Sequence, residues 1–79
     1  MKMIDFIFMA KRMVREYFNR YVCESEENKI VNIKEITTIK FYNTLESYKI
    51  LLSTPGADKM LYEVSYNKNT NEIQSHAYN

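Results

Sequence analysis

MLYEVSYN, residues 60–67, is the stretch on which the fold of this chain turns. Met60, Tyr62, Val64 and Tyr66 alternate with Leu61, Glu63 and Ser65, the period-two pattern of a strand whose successive side chains point to opposite faces. The run Asn67-Lys68-Asn69-Thr70-Asn71 that follows is a turn, because asparagine bonds its own main chain and tolerates left-handed backbone. Working outward, Glu72 to Tyr78 reads as a weaker strand with Ile73 and Ala77 on its apolar side. Upstream, the only proline and only glycine sit together at Pro55-Gly56, where proline fixes φ and glycine accepts positive φ. Before them, Tyr48 to Thr54 and Ile36 to Asn43 are two further strands, joined by the polar turn Asn43-Thr44-Leu45-Glu46. Three short connections force antiparallel neighbours, since parallel pairs need long crossovers.

The N-terminal third has a different period. Met3, Phe6, Ala10, Met13, Val14, Tyr17 and Tyr21 fall on one broad face at about 100° per residue, flanked by Ile7 and Phe18. Asp5 near the start and Arg20 near the end suit the helix dipole. The architecture expected is therefore α+β: one N-terminal helix packed on a four-stranded antiparallel meander, in the order α-β-β-β-β. It forms a single domain over residues 1–79, with a helix at 3–22, an acidic loop at 23–32 and the meander at 34–78. Packing the helix stripe on one sheet face would bury Met13, Tyr17, Ile39, Phe41, Ile50, Leu52, Tyr62 and Val64.

Length and composition narrow the function classes. Seventy-nine residues, 46% hydrophobic and 27% charged with net charge +1, make one soluble domain with no room for a dinucleotide fold or a repeat array. Cys23 is the only cysteine, so no intramolecular disulfide can form, and with one histidine, His76, the chain lacks the usual ligand set for structural zinc. Cys23 reads as a small apolar residue closing the helix. No stretch approaches the ~18 apolar residues that span a bilayer, and Asp5, Lys11 and Arg12 break up the apolar start, so the expectation is a complete cytoplasmic protein without a membrane partner. One glycine cannot build a phosphate-binding loop, and the acids are scattered. These observations point away from an enzyme, and no cofactor is implied.

Two surfaces remain for function. On the helix, Phe8 projects from the polar side with Ile4 one turn away, near Lys11, Arg12 and Arg15. Either the core stripe is wider than this, or the helix starts nearer residue 5 with Ile4 tucked back, or an apolar patch ringed by basic groups is exposed to a partner. On the sheet, one helix covers one face. By alternation the other carries Thr38, Lys40, Tyr42, Lys49, Leu51, Leu61, Glu63, Gln74, His76 and Tyr78. That face is either an ordinary solvated sheet or a recognition or dimerisation surface.

The strand region also carries a resemblance. Thr44-Leu45, Lys49, Leu51-Leu52-Ser53-Thr54, Asp58, Met60, Tyr62-Glu63-Val64, Tyr66-Asn67, Asn71-Glu72-Ile73 and Ala77-Tyr78 resemble a family of small phage and prophage proteins of Gram-positive bacteria. Its pattern runs close to "TL…KALLST…DGMYYEVTYN…NEI…AY". The likeness covers roughly residues 36–79, and the helix resembles the family's only in type. Lys40 stands where the family often has tryptophan, and Lys59 where it has glycine. The resemblance implies a phage origin and action in the cytoplasm of the infected host, and it brings no catalytic or binding residues.

The expectation is thus a non-enzymatic phage accessory protein that binds a host protein, for instance a defence nuclease, and inhibits or redirects it, acting as a homodimer. The helix candidates are Ile4, Phe8, Lys11, Arg12 and Arg15. The sheet candidates are Lys40, Tyr42, Lys49, Leu51, Leu61, Glu63, His76 and Tyr78. The alternative is a small nucleic-acid-binding module, with Lys11, Arg12, Arg15 and Arg20 on phosphates and Tyr42, Tyr48 and Tyr66 stacking on bases. Core packing competes for those tyrosines.

Overall fold

The computed structural model describes residues 1–21, 32–55 and 60–78. Helix α1 (Met3–Tyr21) is followed by a single 3₁₀ turn (Ile33–Glu35) and four strands, β1 (Thr37–Asn43), β2 (Ser47–Ser53), β3 (Leu61–Asn67) and β4 (Glu72–Tyr78). The strands form one antiparallel sheet in the order β1-β2-β3-β4. The α+β meander expected from the period change is the fold. The acidic run Glu24–Glu27, Cys23 and Gly56 lie outside the described residues.

Each turn is closed by the residues its sequence supplies. Thr44 Oγ1 accepts from the backbone N–H of Glu46 and Ser47 at 3.3 and 3.0 Å, which bends β1 into β2. Asn67 Oδ1 accepts from Asn69 N and Thr70 N at 2.8 and 3.2 Å, and Asn71 takes the left-handed conformation, φ 62°, that asparagine enters more readily than most residues. At the open end of the β2–β3 connection, Thr54 Oγ1 accepts from Met60 N at 2.9 Å. Lys68 ties the two turns at the opposite end together. Its Nζ donates to Asn43 Oδ1 at 2.9 Å and to Thr44 O at 2.6 Å, while lying 4.4 Å from the centroid of the Tyr48 ring.

The core lies between α1 and the two central strands. Phe6, Ala10, Val14 and Phe18 form a buried i, i+4 stripe on the helix. They meet Tyr48, Ile50 and Leu52 of β2 and Tyr62, Val64 and Tyr66 of β3. Ala10, with only a methyl group, lets the helix backbone sit close to the sheet. At one end, Phe6 stacks on Tyr48 at 5.2 Å between ring centroids, and Tyr48 stacks in turn on Phe41 and Tyr66 at 6.1 and 6.0 Å. Such pairs add roughly 0.5–1.5 kcal/mol each beyond their buried area.

Four expectations from the sequence are corrected. Ile39 is 52% exposed: the register pairs Thr38 with Leu52 and Lys40 with Leu51, so Ile39 is skipped as a bulge. The same bulge turns Thr38 to the core side of the sheet, off the open face assigned to it by strict alternation. Tyr17 is 44% exposed and packs edge-on against Tyr62 at 5.7 Å, because the helix is rotated so that Phe18 points inward. The meander expected from residue 34 starts at Thr37. Asn32 N donates to Glu35 Oε1 at 2.8 Å, holding Ile33–Glu35 in a 3₁₀ turn from which Ile36 inserts into the core.

Two measurements check this packing. Ile39→Lys is expected to leave stability within about 0.5 kcal/mol of wild type, whereas Ile50→Ala should cost about 2–5 kcal/mol in urea denaturation. A large loss from Ile39→Lys would restore the unbulged strand. Lys68→Met is expected to cost about 1–2 kcal/mol, through two lost hydrogen bonds and a lost cation–ring contact.

Candidate functional site

A helix with its side chains is about 10 Å wide, while four strands about 4.8 Å apart span nearly twice that. One helix therefore cannot cover even one face of this sheet. α1 sits over β2 and β3, and every residue of β4 and nearly every residue of β1 is exposed.

The outer face, opposite the helix, is built by the register. Lys40, Leu51, Glu63 and His76 stand in one cross-strand row, and Tyr42, Lys49, Ser65 and Gln74 in the next. Ser53, Leu61 and Tyr78 form a third row toward the other end. All eight residues selected for this face lie on it. Glu63 is its hub: Lys49 Nζ lies 3.5 Å from Glu63 Oε2, and Tyr78 Oη donates to Glu63 Oε1 at 3.1 Å. Lys40 Nζ sits 5.7 Å from the Tyr42 ring centroid. Leu51 is half-buried among these groups, and Leu61, Tyr42 and Tyr78 present apolar surface around them. A shallow depression of about 200 Å³ opens beside Lys49, bordered by Ser47, Ser65, Asn67, Glu72 and Gln74.

On the helix, the structure decides whether the core takes in Ile4 and Phe8, and starts α1 at Met3 rather than nearer residue 5. Ile4 and Phe8 are 67% and 56% exposed, so the core stripe is not widened to include them. Arg12 is exposed beside them, Lys11 and Arg15 are half-buried, and Arg15 lies 3.9 Å from Glu16. This patch and the outer sheet face are on opposite sides of the sheet, so they do not form one site. Tyr48 and Tyr66 are buried in the aromatic stack, which removes them from any base-stacking role. Arg20 is exposed near the end of the helix.

One feature escaped sequence reasoning. Between α1 and β4 runs a groove of about 270 Å³ lined by Met13, Val14, Tyr17, Tyr62, Val64, Ser75, His76 and Ala77. The width arithmetic of one helix on four strands is the signal that could have found it. Among the described residues, no helix is long and apolar enough to cross a membrane.

A model for a family of unknown function, DUF6275, matches residues 7–79, which takes in most of the helix and all four strands. No curated protein and no solved structure matches the chain.

The Tyr78 hydroxyl is held above its ordinary pKa of 10.0, first by its hydrogen bond to Glu63, then by desolvation and by repulsion from the same carboxylate. The protonated phenol is the form that donates. Its contribution to stability is therefore complete below about pH 10 and is lost as pH rises through the raised value. Site-resolved NMR titration of the tyrosine rings should place the Tyr78 midpoint above 10.0 in wild type and lower it in Glu63→Gln. An unchanged midpoint in that variant would remove Glu63 as the cause.

Proposed function

The chain belongs to this family, and we propose that it is a non-enzymatic accessory protein that binds a host protein across the outer sheet face. Binding would inhibit or redirect the target by occupancy. The observation that carries this reading is the organisation of that face. Its central charges, Lys49 and Glu63, are already paired and Glu63 also accepts from the Tyr78 hydroxyl, while Leu51, Leu61 and Tyr42 offer apolar contact around them. A partner can cover this central pair without stranding its charges, the costliest event at an interface, while Lys40 over the Tyr42 ring is left to meet an acidic or aromatic group of the partner. A standard interface takes about 800 Å² from each partner, roughly a seventh of the 5651 Å² this chain exposes.

The resemblance of residues 36–79 to small phage and prophage proteins supports action in the cytoplasm of an infected bacterium. A defence nuclease or the replication or transcription machinery is the target class that fits such an origin. Nucleic acid is the competing ligand, and it would use Lys11, Arg12 and Arg15 of the opposite side.

Affinity capture from nuclease-treated host lysate tests the proposal. A stoichiometric host protein should be retained by wild type and by Ile4→Ser/Phe8→Ser, and lost with Leu51→Glu/Leu61→Glu at unchanged circular dichroism. If the chain instead binds DNA or RNA with a steep salt dependence that Arg12→Glu/Arg15→Glu abolishes, the host-protein reading gives way.

A further inference from the structure

The two edges of the sheet are not equivalent. β1 carries a bulge at Ile39 followed by Lys40, and both features discourage another strand from pairing alongside. β4 has neither. Its seven residues, Glu72–Tyr78, contain no proline, no lysine and no register break, and all are exposed. Nothing pairs with its free edge among the described residues, so a row of backbone donors and acceptors faces solvent.

We propose that β4 pairs antiparallel with β4 of a second copy about a two-fold axis at Ser75, joining two sheets into one of eight strands. The strand's own sequence selects the second copy as occupant. Only the register centred on Ser75 pairs all seven residues. It sets Ile73 against the partner's Ala77 twice on the helix side, an apolar pair in each half. On the outer side it sets Gln74 against the partner's His76, an amide opposite an imidazole. Glu72, the one charged residue of the strand apart from any charge on His76, falls opposite the partner's Tyr78. No like charges oppose each other. Moving the axis to His76 would set two imidazoles face to face and put Glu72 and Ile73 beyond the end of the partner's strand. The groove between α1 and β4 leaves the helix clear of this edge, so the backbones can approach to strand spacing. Pairing limited to one edge per copy gives a modest interface, below the standard size.

This inference does not rest on host-protein binding, and its test separates the two. Light scattering of the full chain at about 100 μM, a hundredfold above a Kd of about 1 μM, should give twice the 9.5 kDa chain mass. Ser75→Lys, which opposes two ammonium groups at the axis on an exposed position, should give the monomer mass with unchanged circular dichroism. Ser75→Glu alone should behave likewise. Mixing the two variants should restore the dimer, because lysine then faces glutamate. A monomeric wild type at that concentration, or a Ser75→Lys protein that stays dimeric, overturns the proposal. Two single variants that fail to associate even when mixed overturn the axis at Ser75.

Discussion

The width of a single helix governs this molecule. α1 buries one i, i+4 stripe, Phe6, Ala10, Val14 and Phe18, and that stripe reaches the two central strands and little further. Everything else follows from how the remaining sheet copes without cover. The central strands can be apolar on their inner side, so β2 and β3 supply Ile50, Leu52 and Val64. The edge strands cannot, so β1 and β4 carry threonine, lysine, glutamine and serine among their few apolar residues. A small chain without a disulfide in reach has to make this narrow core efficient, and it does so with aromatic rings.

The buried tyrosines show how. Tyr48, Tyr62 and Tyr66 place their rings in the core and their hydroxyls at its rim, where Tyr48 donates to Met1 O at 3.1 Å, Tyr62 to Met60 Sδ at 3.5 Å and Tyr66 to Asn71 Oδ1. Each bond ties a chain segment outside the sheet's regular ladder to the core: the start of the helix, the end of the β2–β3 connection and the Asn-rich turn. The rings therefore bury area and fix the periphery at once, which phenylalanine could not do.

How much of this was legible in the sequence depends on whether a local rule was left to operate. In β2 and β3, where one face is packed and the other open, alternation marked the strands and their faces to within a residue. In β1 it failed at Ile39, because Ile39 and Phe41 look like consecutive inward residues and the bulge that separates them has no signature of its own. The helix period identified α1, but a stripe this rich in apolar residues leaves its rotation undetermined. Tyr17 and Phe18 compete for the same place, and the sheet chose Phe18. The outer face was legible because it needs only parity from Leu51 and Glu63. The groove beside β4 was not, because it comes from a relation between elements, the breadth of the sheet against that of the helix.

The bulge at Ile39 has a consequence for the solution behaviour of the chain. A sheet with two bare edges can add copies head to tail without limit, and such growth ends in fibres. Here one border is spoiled and the other is clean. Any lateral addition is therefore terminated after a single step, since the newcomer presents its spoiled border outward. If copies join through the clean border, an irregularity that cost the first strand a buried isoleucine is also their chain stop.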